Sequence, residues 1–338
     1  MIKKTRWNII TAKMYVGHIL AVCAVTSLVV QAQNLCNSTA CVLPNCRCFS
    51  DRSIPGYISP FQTPQIVTLT LQNNLNSAIK PLYDSLLNFR NPNNCTIRVS
   101  FYIEDKGTDY SIVSKYASQG HEIGIHSVND TVPQNSSDWI NMLKYMKIKL
   151  GVSGIPANTV VGVRAPFLSF GGTDEYIGIA NNGMMYDSSC VTSNYVTPGT
   201  LKWPFTYDYD YGLFKCNIGK SVYQAFPGQW QVMLAAYKYN GTVCAVPDAC
   251  PNVKTEGQAF DILNEAFLDH YLGDRAPYTM VITPEWMVTD YKKAGLIQFL
   301  TNITAHHDVW LVSQMQALEW VQHPTPLANI MDFAPWKC

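Results

Sequence analysis

Two hydrophobic periods take turns along this chain. From Pro64 onward, short apolar and β-branched runs of strand length are each followed by apolar residues at helical spacing. The first run, Ile66-Val67-Thr68-Leu69-Thr70-Leu71, predicts a buried strand that ends in the side-chain amides Gln72-Asn73-Asn74. A helix is expected over 79–88 and a strand over 98–103. The next helix, 109–119, takes Thr108 as its N-cap and Gly120 as its stop. Strand 121–126 follows, then helix 137–150, with Trp139, Leu143, Met146 and Leu150 on one face. Strand 160–163 and helix 174–182 close this series. Residues 184–255 break the rhythm with aromatics, prolines and four cysteines, and read as a long structured excursion. Alternation resumes with helix 257–272, strand 278–282, helix 292–303, strand 309–312 and helix 314–323.

Strand-helix alternation over this length implies an α/β fold with a parallel sheet and helical crossovers. A barrel fits better than an open sheet, because no glycine-rich phosphate loop follows the first strand. In such folds chemistry is placed at the C-terminal ends of the strands. That edge begins with Gln72-Asn73-Asn74, amides that hydrogen-bond but take up no proton at neutral pH.

Hydrophobic residues make up 47% and charged residues 14%, as expected of a globular body. The formal charge is zero, but Lys3, Lys4, Arg6 and Lys13 lie in the first thirteen residues and no acid precedes Asp51. Residues 1–32 read as a secretory signal: a basic region, apolar Met14 to Val30, and a cleavage-like Val30-Gln31-Ala32. The alternative is an uncleaved signal anchor. Without this leader 20 basic residues face 24 acidic ones, net −4, which argues against nucleic acid or an anionic membrane as partner. Ten cysteines remain after Cys23, an even number that in a secreted chain implies disulfides. The crowded set from Cys36 to Cys48 could instead hold zinc, but an oxidising compartment favours bridges. The short Cys244–Cys250 spacing suits a local loop, and Cys338 would staple the C-terminus. Six N-x-S/T acceptors, at Asn37, Asn94, Asn129, Asn135, Asn240 and Asn302, point to a glycoprotein. Residues 33–60 form a Cys-rich N-terminal arm, and 61–338 the barrel domain.

Four stretches at strand ends could carry chemistry: Thr70-Leu71-Gln72-Asn73, His121-Glu122-Ile123-Gly124-Ile125-His126 through Asp130, Val163-Arg164-Ala165-Pro166-Phe167, and Ile282-Thr283-Pro284-Glu285-Trp286. With Phe226-Pro227-Gly228-Gln229-Trp230 and the terminal Pro335-Trp336-Lys337-Cys338, they resemble the chitin deacetylase-like branch of the polysaccharide deacetylases (carbohydrate esterase family 4, NodB homology). The resemblance runs from about Cys36 to Cys338. It implies a distorted (β/α) barrel with a groove for a β-1,4-linked N-acetylglucosamine polymer. Active members carry an Asp pair in the first motif, one the general base and one a ligand to a divalent metal, usually zinc. Two further ligands are His, an Arg orients the base, and a late His is the general acid. The metal polarises the amide carbonyl and activates water, the base takes the water proton, and the acid protonates the leaving amine.

This chain departs from that pattern at each working position. Gln72 stands at the base position and Asn73 at the first ligand. His126 matches the first His ligand, Asp130 replaces the second, and Thr283 stands at the general acid. Arg164, Pro166 and Trp230 match, as positioning and groove-wall residues. Asn73, His126 and Asp130 make a poor zinc set, so no cofactor is expected beyond weak binding of zinc or another divalent metal. The implied function is a secreted, disulfide-bonded protein that binds chitin or a similar polymer without deacetylating it. One rival is an active hydrolase with a rearranged site, using Asp130 or Glu104 as base. Another is an extracellular structural protein without sugar binding.

Overall fold

A computed structural model describes residues 36–192, 201–209, 216 and 218–338. The leader lies outside the described residues. Cys36 to Cys338 form one compact unit.

Eleven described strands and eight α-helices follow the expected alternation. They are β1 (Gln65–Asn73), α1 (Lys80–Asp84), β2 (Ser100–Glu104), α2 (Tyr110–Ser118), β3 (Glu122–Ser127), α3 (Ser136–Val152), β4 (Gly162–Val163), α4 (Thr173–Asn181) and β5 (Tyr186–Asp187). The excursion holds β6 (Phe205–Tyr207), β7 (Phe226–Gln231), β8 (Tyr237–Tyr239) and β9 (Thr242–Cys244). Then come α5 (Glu256–Tyr271), β10 (Tyr278–Ile282), α6 (Pro284–Met287), α7 (Asp290–Thr304), β11 (Val309–Leu311) and α8 (Gln314–Gln322).

The main sheet runs β10-β1-β2-β3-β4-β5-β7-β6, with β11 on the N-terminal end of β1. All its pairings are parallel except β6 with β7. The sheet curls until its far side returns to β10. After β7 the chain donates from Leu234 N to Cys190 O at 2.7 Å and from Ala235 N to Thr279 O at 3.0 Å. This seam makes the molecule a distorted (β/α) barrel. The arm docks on β6 through paired backbone and hydroxyl bonds between Arg47 and Thr206.

Strand periodicity divides the core into two layers. Val67, Leu69 and Leu71 of β1, Phe101 and Ile103 of β2, and Ile123 and Ile125 of β3 face the helices in one large cluster. The opposite face looks into the barrel. There Ile66, Tyr102, Tyr186, Trp230 and Trp310 pack together, while Thr68, Thr70, Ser100 and Glu122 are buried and polar. Gly124 and Gly162 make room for this interior: a Cβ on Gly162 would lie 2.3 Å from the Tyr186 ring and hydroxyl.

Three expectations are corrected. The 79–88 helix shrinks to Lys80–Asp84, since Ile79 offers no capping side chain and tighter turns follow Asp84. Asp109, not Thr108, caps α2, accepting from Ser111 N, while the Thr108 hydroxyl accepts from Leu75 N. Thr283 opens α6, a short helix the periodicity did not foretell. The cysteines pair as Cys36–Cys48, Cys41–Cys46, Cys95–Cys338, Cys190–Cys216 and Cys244–Cys250. The expected local loop and C-terminal staple are both present.

Candidate functional site

The alternation that builds the barrel also selects what reaches its mouth. Counting upward along the interior face gives Thr70 then Gln72 on β1, Tyr102 then Glu104 on β2, and Gly124 then His126 on β3. Register agrees: Gln72 lies beside Tyr102. Glu104 lies beside Ser127, after an irregularity at Ile103/Glu104. Asn73 is the last residue of β1 and has φ 87°, so the backbone leaves the strand in the left-handed region.

Gln72 Oε1 is buried and unpartnered. An amide here offers donors and an acceptor but no site for a water proton.

Arg164 is fully buried just beyond β4. Its Nε donates to Ser188 O at 2.8 Å, one terminal nitrogen to Thr70 Oγ1 at 2.7 Å, and the other to Ser188 Oγ at 3.1 Å. The guanidinium also lies over the Tyr102 ring, 4.1 Å from its centre. Below it, Tyr102 OH bonds Gln314 and Tyr186, Tyr186 OH donates to Glu122 at 2.6 Å, and Gln314 Nε2 donates to Ser188 Oγ at 2.7 Å. The cation therefore spans four strand ends through neutral partners. Burial lowers its pKa from the ordinary arginine value, the tyrosines and Asp187 opposing.

His126 is buried, with Nδ1 3.0 Å from Arg164 O and Nε2 3.3 Å from Asp130 Oδ1. Both neighbours are acceptors, and a neutral imidazole has one N–H to give. Asp130 has φ 53° and accepts from His126, which holds its carboxyl below the usual range; its Oδ1 is 3.5 Å from Ser127 Oγ. Burial raises the Glu104 carboxyl and nearby Asp130 raises it further, with His126 opposing.

The Thr283 side chain is fully engaged. Its Oγ1 accepts from Trp286 N at 3.3 Å, capping α6, and donates to Asp248 Oδ2 at 2.6 Å. Asp248 in turn pairs with Lys292 at 3.3 Å.

Both residues matched to the groove wall, Trp230 and Pro166, are buried. Trp230 is only 1% exposed; its ring packs in the barrel core among Tyr186, Trp203 and Trp310, and no face is free for a sugar. Pro166 is buried as well. The aromatic that does reach solvent beside Arg164 is Phe167, 68% exposed with φ 55°. His121 accepts from Val99 N at 3.3 Å, and burial with the Arg98 charge lowers it to about 4, the structural role read from its sequence position.

The donor set does not fit a tightly held zinc. His126 and Asp130 are adjacent, but Asn73 adds only a neutral amide. Among the described residues the one trio of His, Cys or carboxylate donors within 4.8 Å is Cys36, Cys41 and Cys48, and all three sulfurs are in disulfides. A stable zinc site usually gathers three or four such ligands.

No family model matches the chain. Among curated proteins it is 28% identical to chitin deacetylase 1 of Bombyx mori over 89% of this chain and 59% of that protein. It is 29% identical to chitin deacetylase 8 of Bombyx mori over 86% of this chain and 79% of that protein. The chain thus spans well over half, but not all, of these relatives. Among solved structures, Puue allantoinase superposes with a TM-score of 0.51 at 13% identity, covering 82% of this chain and 100% of that one. That likeness concerns the fold alone.

Proposed function

We propose that this chain, which belongs to the polysaccharide deacetylase family as a chitin deacetylase-like member, binds a chitin-like N-acetylglucosamine polymer at its barrel mouth and leaves the acetyl groups in place. The observation that carries this reading is the loss of both proton-transfer groups. Gln72 points into the mouth as an unpartnered amide, and Thr283 is committed to a helix cap and to Asp248. Base and acid work contribute about 10²–10⁴-fold each. With neither group, and with only His126 and Asp130 as ionisable ligands, turnover falls out of useful range. The retained Arg164 then serves architecture: it fixes Thr70 and Ser188. The five disulfides agree with a secreted protein, and no helix among the described residues is long and apolar enough to cross a membrane.

The test pairs two measurements on the purified protein. Acetylated chito-oligomers are incubated with it and assayed for acetate, and the protein is passed over chitin beads. Retention without acetate is expected. Acetate release that a chelator abolishes would refute the reading. Failure to bind beads would leave a structural protein of the matrix.

One observation favours a second reading. Glu104 shares the interior face with Gln72 and lies close enough to Asp130 and His126 to feel their charge. A carboxylate there could serve as a displaced base. In that case acetate would be released, and Glu104→Gln would abolish it.

A further inference from the structure

The end of the barrel opposite Gln72 carries a second, chemically different opening. Arg98 lies just before β2 and His121 just before β3, so both stand at the N-terminal edge of the sheet. With Lys80, Asp84, Lys115 and Gln119 they line an open cleft of about 550 Å³.

Charge in this cleft is not balanced. Asp84 is its one acid, and it is taken by Lys80 Nζ and by Tyr116 OH at 2.9 Å. Lys115 and Arg98 have no acidic partner among the described residues. The Arg98 guanidinium is partly desolvated, and burial alone lowers its pKa, with no carboxylate opposing. Arg98 lies against Gly120, the φ 83° residue that ends α2: a Cβ there would come within 2.8 Å of Arg98 Nε. His121 adds a donor. Its Nδ1 accepts from Val99 N, which leaves the hydrogen of the neutral ring on Nε2.

A bland explanation is that the cations answer the C-terminal end of α2, where Lys115 sits in the last turn. A helix end carries roughly half a charge and favours a nearby cation by about 0.3–1 kcal/mol. Two unpaired cations beside a neutral Lys80–Asp84 pair exceed that demand. Lys115 is exposed, but Arg98 is partly buried without an acidic partner, and an anion in the cleft would offset the cost of that partial desolvation.

We infer that this cleft is an oxyanion site, holding a sulfate-, phosphate- or carboxylate-type group between Arg98 and Lys115 with His121 as a neutral donor. An anion free in solution and one carried on an acidic polysaccharide present the same chemistry of recognition. The inference does not rest on the sugar-binding role of the opposite face.

The imidazole resonances of His121, assigned by their loss in His121→Gln, report on the cleft. Sodium sulfate is titrated into the full protein at constant ionic strength made up with sodium chloride. A saturable shift is expected, and in the Arg98→Gln, Lys115→Gln double variant roughly tenfold to a hundredfold more sulfate should be needed. Arg98→Lys, which keeps the charge but loses the fork, should fall between. Dextran sulfate that displaces sulfate at the same resonances, where neutral dextran does not, assigns the site to a polymer-borne anion; no displacement assigns it to the free ion. A shift that chloride reproduces, or one unchanged in the double variant, overturns the inference. If the double variant does not fold, the wild-type titration against chloride decides alone.

Discussion

Gln72 and Thr283 both lack a group that exchanges a proton near neutral pH, yet each is anchored differently. Gln72 has an idle buried carbonyl, and Gln72→Asp puts a carboxylate there on a side chain one methylene shorter. It restores one group of several, and we expect no measurable acetate release from that variant alone, since acid and ligand positions still fail. Acetate from Gln72→Asp would show that the mouth already holds a competent cation and acid. Phe167 is the exposed ring at the mouth, and Phe167→Ala should weaken retention on chitin about tenfold with little change in melting temperature. At this scale motif spacing singled out positions 72, 73, 126, 130, 164 and 283 as candidates. It could not give their partners. Asp248 lies 35 residues from Thr283, and Ser188 lies 24 from Arg164. Only parity along β2 and β5, read together with β4, would have put Tyr102 and Ser188 beside the guanidinium. The burial of Trp230 was not legible either, because a matching motif says nothing about which way a ring faces once β7 pairs with β5.

Among the elements, the small ones carry the constraints. Gly162 lets β4 lie under the Tyr186 ring, whose hydroxyl reaches Glu122. Gly162→Ala should displace that ring and cost about 2 kcal/mol or more in chemical denaturation, through overpacking and a lost buried hydrogen bond. A variant as stable as the parent would mean that β4 can shift freely. Long amphipathic helices and the β10 strand were legible because one face or one run dominates them. The α1 and α6 segments were not, since helices of four or five residues are too short to show a period; both have a proline in their first turn, and α6 is also capped by Thr283.

The whole molecule responds to acid through groups buried far from the mouth. Burial lowers both His121 and His270 from 6.5 to about 4. The unfolded chain therefore binds protons that the fold refuses. Stability from the neutral rings is complete above the unfolded value of about 6.5 and is lost as pH falls toward 4. Asp274 acts oppositely: burial raises it to about 6, so it returns some stability between 6 and 3.8. The contribution of His270 is therefore read by difference: between pH 6.5 and 4 the melting temperature of the parent should lose more than that of His270→Gln. Parallel profiles for the two proteins would contradict this account. Cys95–Cys338 joins residues 243 apart and holds Trp336 against Trp310. Replacing both cysteines by serine should cost about 2–5 kcal/mol, measurable by denaturant titration.

Arg164 reaches Thr70, Tyr102 and Ser188 from its own strand end, and every one of these contacts is made by the protein itself. The rim of the barrel is thus braced by a cation the protein cannot lose to its surroundings. Scarcity of transition metals, or a chelator in the medium, should leave its contour and its melting curve as they were.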